Sequence, residues 1–208
     1  MTGEDHLAKV LAMLGEPIAE PAPAADWQRA ETAAGAALPE DYRIIVDRYA
    51  PVRLNRHLYL CRPGREWWNL EKWIEETITA WNDADWSGDH WYDDEAGVDP
   101  RLVLGSDTLV FGGPGGLIPL LGSDRGETVF FVPGAAGGAD GQIFAEGGDC
   151  DFHHHPMSFA QWLYGYLTGA NMTGPYSGIF YEGPVRFASL PDGSGDPERI
   201  HYGPDRGM

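Results

Sequence analysis

His153, His154 and His155, beside Asp149, Cys150 and Asp151, are the residues whose types and spacing come nearest to chemistry in this chain. Imidazole, thiolate and carboxylate all ligate zinc and other transition metals. The spacing works against a closed site. In an extended strand neighbouring side chains point to opposite faces, so only His153 and His155 converge. Further ligands would have to come from elsewhere, such as His57 or His90. Polar strand-end residues before a helix are therefore the favoured reading, and metal binding the lesser one. Cys150 near His153 is the one local pairing that suits nucleophilic catalysis. Its acidic neighbours raise a thiol's pKa and disfavour the thiolate. Gly112-Gly113-Pro114-Gly115-Gly116 is too irregular for a dinucleotide fingerprint, and no lysine follows it to make a phosphate loop. The expectation is no catalytic residue, no metal and no cofactor.

Carboxylates are the other abundant chemical group. The formal net charge is −18, and Lys9 and Lys72 are the only lysines. No basic residue lies between Lys72 and Arg101, while Glu75, Glu76, Asp83, Asp85, Asp89, Asp93, Asp94, Glu95 and Asp99 accumulate there. A folded chain of this mass exposes roughly 9,600 Å². Spread evenly, the excess charge would place about one or two net negatives on an interface face of about 800 Å². The acidic run far exceeds that density. These acids lack the apolar surroundings that tune one carboxyl of a catalytic pair, so they read as a surface. Nucleic acid is excluded as a ligand because its phosphates are repelled. A protein partner with a basic face is favoured, since complementary charge raises the association rate.

Tryptophans supply candidate anchors for such a contact. Trp86 and Trp91 stand among the acids of DADWSGDHWYDDE, a stretch too charged for a core helix. On a helix, Trp68 lies about 100° from the apolar stripe that holds Trp67, a position suited to an exposed hot spot. The expected partner-binding set is Asp83, Asp85, Asp89, Asp93, Asp94 and Glu95 for steering, with Trp86, Trp91 and Trp68 as anchors.

Several elements must position these groups. Leu7, Val10, Leu11 and Leu14 give a first amphipathic helix ended by Gly15 and Pro17, and a Pro/Ala linker then runs to an Asp26 N-cap. Trp27 to Gly35 and Pro39 to Tyr49 form a helix pair, with Tyr42, Ile45, Val46 and Tyr49 on one apolar face. Val52 to Cys61 reads as one strand closed by Pro63-Gly64, and Glu66 to Trp81 as a helix. Short strands are expected at 101–104, 109–111, 117–121, 127–132 and 142–145. Ser158 and Gln161 form a capping box for a helix stopped at Gly169. The 178–190 segment alternates and could add an edge strand, while the Gly-, Asp- and Pro-rich tail from Asp192 reads as mobile. Helices at both ends with strands between them argue for α+β, a mostly antiparallel sheet with helices packed around it.

At 208 residues the chain suits one domain with added segments. Its 43% hydrophobic content and eight tryptophans suit a filled core. No apolar run approaches the roughly 20 residues that span a bilayer. The amino terminus lacks the basic region of a signal peptide, so a cytoplasmic location is expected. Cys61 and Cys150 imply no disulfide framework.

The helix pair at Trp27–Tyr49 (WQRAETAAGAALPEDYRIIVDRY) resembles the opening motif of the SUKH superfamily of Smi/Knr-type proteins. LIPLLGSDRGETVFFVPG at Leu117–Gly134 is similar to its central hairpin, and SFAQWLYGYLTG at Ser158–Gly169 to its closing helix. Gly126-Glu127 stands where many members carry Gly-Asp, and Ala50 where a glycine often follows the tyrosine. The resemblance divides the chain into 1–23 (helix and linker), a SUKH-like domain at 24–169, and a C-terminal extension at 170–208. It implies a binder rather than an enzyme: a bacterial immunity protein that neutralises a toxin, such as a basic nuclease, by gripping it. By the same resemblance Glu127 joins the partner-binding set. The alternatives are a regulatory or scaffold module in signalling or cell-wall regulation, and a metal-dependent hydrolase built on His153 and His155.

Overall fold

The computed structural model describes residues 5–86, 97–134, 141–148, 151–179, 182–191 and 197–205, together with Gly193 and Gly195. Three helices open the chain: α1 (His6–Leu14), α2 (Ala24–Ala34) and α3 (Glu40–Tyr49). A hairpin of β1 (Val52–Leu54) and β2 (Leu58–Leu60) follows, then α4 (Leu70–Asn82) and the short α5 (Pro100–Leu104). Strands β3 (Ile118–Ser123), β4 (Thr128–Val132), β5 (Gln142–Glu146) and β6 (Phe152–His155) lead into α6 (Phe159–Leu167). β7 (Arg186–Ser189) and β8 (Arg199–Tyr202) close the fold.

All eight strands make one sheet in the order β6-β5-β4-β3-β2-β1-β7-β8, and every pairing is antiparallel. The protein is thus α+β, as its pattern predicts. One face of the sheet carries Val52, Leu54, Leu58, Leu60, Val129, Ile143 and Phe187 into the main core, beneath α3 and α6. Tyr42 from α3 meets Phe159 from α6 edge-on at 5.1 Å and donates its hydroxyl to Leu120 O at 2.7 Å. Val10 and Leu14 from α1 and Phe187 from β7 are buried in that same core. A second apolar cluster lies on the opposite face, where Phe130, Phe144 and Phe152 pack with Phe111 beneath Trp81 and Trp86. α4 serves both clusters, with Leu70 and Ile74 buried in the first and Ile78 touching each.

Six local expectations are corrected by the structure. Val52–Cys61 is a hairpin rather than one strand, because Asn55 and Arg56 take left-handed backbones at φ 46° and 58°. α4 starts at Leu70 rather than Glu66, since Trp68 at φ 55° cannot join a right-handed helix and Asn69 caps the next turn at Lys72 N. Residues 101–104 are helical, because Asp99 accepts from Arg101 N at 2.8 Å and Pro100 suits a first helical position. Leu109–Phe111 contributes one bridge, Phe111 to Leu117. The tail is not simply loose, for Arg199–Tyr202 pairs residue by residue with β7. At the second helix Pro23 rather than Asp26 takes the cap position, which leaves Asp26 in the first turn.

Candidate protein-binding surface

The amphipathic spacing of α4 decides which acids reach solvent. With Leu70 and Ile74 turned inward, Glu75, Glu76, Thr79 and Ala80 are exposed, and Asp83 and Asp85 continue the exposed run beyond the helix. Lys72 sits 3.7 Å from Glu76 in a solvent-exposed pair, which gains little stability. Asn82 fixes the end of the helix, donating to Phe111 O at 2.9 Å and accepting from Phe111 N at 3.1 Å. The acidic row therefore rides on a backbone held at both ends.

Trp86 sits at the end of this row but turns inward. Its indole N–H donates to Trp81 O at 2.6 Å, and the two indoles stack at 5.4 Å and 9°. Phe111 and Phe152 lie 5.6 and 6.0 Å from it. A half-buried ring in the second cluster fastens the acidic segment to the sheet, so its role as a desolvated anchor for a partner is limited to its exposed edge. Asp89, Trp91, Asp93, Asp94 and Glu95 lie outside the described residues.

Trp68 is also half-buried. It stacks on Tyr59 at 5.5 Å and 6°, over the outward face that Tyr59 shares with Arg53, Ala188 and Ile200. Its neighbour Trp67 is the exposed indole, at 49%. The assignment from helical spacing is thus inverted, because the helix on which it rested has not yet begun at these residues.

Between α4 and the β3–β4 turn lies a shallow groove of about 340 Å³. Trp73, Ala80 and Trp81 form one wall, with Ser123 and Thr128 opposite. Its floor includes Gly122, where an added Cβ would stand 3.5 Å from the Trp73 ring. Glu76 edges it. Acid and indole are brought together here, in one shallow depression.

Glu127 borders that groove but is only 7% exposed. Its Oε2 lies 2.6 Å from His57 Nε2 and also accepts from the Ser123 hydroxyl, while Oε1 accepts from Thr173 Oγ1 at 3.0 Å. His57 Nδ1 lies 3.0 Å from Tyr166 OH. With its Nε2–H directed at Glu127, His57 accepts from the Tyr166 hydroxyl at Nδ1. Burial alone would raise the Glu127 carboxyl; the hydrogen bonds from His57, Ser123 and Thr173 overcome it and hold the group below its usual range. The hydroxyl of Ser123 rests on the carboxylate, and both nitrogens of His57 are engaged, so this is a fastening between the β1–β2 turn, the β3–β4 turn, α6 and residue 173. A partner meets little of the Glu127 carboxylate.

The histidine run behaves as strand geometry requires. His154 meets Gln142 Oε1 at 2.7 Å and stacks on Phe144 at 4.8 Å. His155 points the other way and donates from Nε2 to Met172 O at 3.0 Å. Burial lowers the pKa of all three imidazoles. Among the described residues no three His, Cys, Asp or Glu side chains gather around a point where a metal ion could sit. Asp149 and Cys150 lie outside them. Cys61 is buried, and burial pushes its thiol up to about 12.

Sequence reasoning found the acids of α4 but missed the Glu127 fastening. Its members at 57, 123, 127, 166 and 173 share no local spacing, and only the sheet brings them together. No family model, curated protein or solved structure matches this chain. Among the described residues no helix is long and apolar enough to cross a membrane.

Proposed function

We propose that this protein is a non-catalytic binding module of the immunity type, one that neutralises a toxin domain with a basic face. The observation that carries this reading is the exposed row Glu75, Glu76, Asp83 and Asp85, with no Lys or Arg between Lys72 and Arg101. Set beside the indole-walled groove between α4 and the β3–β4 turn, these acids combine long-range steering with a place for contact. Asp89, Asp93, Asp94 and Glu95 extend the charge, and Trp91 adds an indole within it. Such a surface disfavours nucleic acid and suits a cytoplasmic antidote.

Co-expression with the product of the neighbouring gene tests this. Restored growth, with a complex that survives gel filtration, is the expected result. A neighbour that is harmless by itself would count for a regulatory or scaffold role instead. A neighbour that kills cells despite this protein, with no complex formed, would end the immunity reading.

A further inference from the structure

A second and larger groove, of about 1140 Å³, lies away from the surface proposed above. It exceeds the roughly 300–1,000 Å³ of small-molecule pockets, so its scale is that of a peptide. The beginnings of α1, α3 and α6 converge on it, with turns at 114–115 and 133–134 completing the rim. Leu7, Leu38, Ile44 and Phe131 supply apolar wall. Asp5, Glu40 and Asp41 supply negative charge beside His6, and among the described residues no Lys or Arg side chain lines it.

Three helix N-termini in one place would ordinarily attract an anion. Here a side-chain oxygen already occupies amide donors at each of the three starts. Asp5 accepts from Ala8 N at 3.0 Å, Asp41 takes Tyr42 N at 2.8 Å and Ala160 N at 2.7 Å, and Ser158 takes Gln161 N at 3.3 Å. The carboxylates that cap the helices leave the groove negative as well as apolar. Glu40, exposed on its rim, has no role in capping α6 and is available to a ligand.

We infer that this groove receives a basic, apolar peptide segment of a partner protein, with leucine-like side chains on its walls and a Lys or Arg at Glu40. The inference rests on the protein-binding reading and names a second contact surface for it. Charge complementarity selects this occupant: a second copy of a chain carrying −18 would be repelled.

The test uses the full chain, isotopically labelled, and a short synthetic peptide alternating leucine with lysine. Expected are saturable amide shifts at Leu7, Ile44 and Gln161. Affinity should fall about tenfold in Glu40→Lys, equivalent to about 1.4 kcal/mol, and also in Ile44→Gln. A peptide with glutamate in place of lysine should give no shifts. Circular dichroism confirms that both variants stay folded; Glu40→Lys changes an exposed position and carries the test if Ile44→Gln does not fold. Shifts confined to Asp83 and Asp85, equal binding of the glutamate peptide, or concentration-dependent shifts of the chain alone at the groove would each overturn the inference. The paired variant Asp83→Asn/Asp85→Asn should bind the peptide as the parent does. If it does, while partner association is unaffected by those changes, the acidic surface is refuted and the groove survives; loss of groove binding with steering intact refutes the groove alone.

Discussion

Replacing Glu127 by alanine strands three donors at once: the buried His57 imidazole and Thr173 hydroxyl, and the half-buried Ser123 hydroxyl. A buried donor left without a partner costs about 1–3 kcal/mol, so three set an upper range near 9 kcal/mol. Two of the three have partial relief. Ser123 is half-exposed and can turn to water, and the Asp124 carboxylate stands 3.8 Å from His57 Nε2. The expected loss is therefore about 3–5 kcal/mol, the lower part of that range. For a domain of this size that corresponds to a fall in Tm of roughly 6–20 °C. Urea unfolding followed by tryptophan emission should show a lower midpoint at unchanged slope.

Acid titration of the same effect fixes its origin. The Glu127 carboxyl is held below its ordinary value in the folded chain, so its charge stabilises the fold above the unfolded value near 4.3. That contribution is lost as pH falls through the folded value. The stability gap between the parent and Glu127→Gln should be full at pH about 7 and close as pH falls through the lowered, folded-state value. A loss under about 1 kcal/mol for Glu127→Ala, or a gap that stays constant into acid, would refute the account of Glu127 as an ionised, buried fastening.

Other consequences can be checked by simpler means. Neutralising Glu75, Asp83 and Asp85 should slow association with the partner and flatten its dependence on salt; an association rate that does not change counts against the surface. Trp86→Ala should cost roughly 2 kcal/mol in thermal or urea unfolding, about half of a core tryptophan's value, because the ring is packed on Trp81 and only half-buried. Unchanged stability would return Trp86 to the solvent. Tyr42→Phe removes the hydroxyl that serves Leu120 O and should cost about 1–2 kcal/mol, read by the same unfolding curves.

The parts of the fold legible in the sequence are those where one local rule acts alone. Tyr42, Ile45, Val46 and Tyr49 repeat at helical spacing, and all four are fully buried. β3, β4 and β5 fall within a residue or two of their expected bounds because glycine-rich turns punctuate continuous apolar runs. The hairpin at Asn55-Arg56 was illegible for a different reason. Its turn depends on the Asn55 side chain accepting from Arg186 N at 3.1 Å and on Asn55 N donating to Arg186 O at 2.7 Å. Those contacts come from a strand at the far end of the chain. Arg101–Leu104 carried an Asp-Pro start signal, but a run of four residues cannot separate helix from strand by periodicity. β8 hid in a tail whose glycines and prolines dominate its composition, although Arg199–Tyr202 alternates against β7. Acids and indoles announced a surface by their density; which indoles face outward was decided by backbone at Trp68 and by packing at Trp86, neither of which spacing encodes.

Anchoring of the acidic region at its two flanks bears on how it can bind. On one side Trp86 is stacked on Trp81. On the other, Val98 N donates to Phe152 O at 2.7 Å, and Asp99 both caps α5 and grips the Arg101 guanidinium at 2.9 Å. Asp99 is thereby spent on structure, whereas Asp83 and Asp85 are exposed beyond the end of α4. Fixed charge matters for rate, because a partner is steered by the field present before contact. It matters for affinity as well, since groups already ordered in the free protein add little to the entropic cost of association. Trp81 and Trp86 thus act on this region by packing: their rings face the sheet and hold the backbone that carries Asp83 and Asp85.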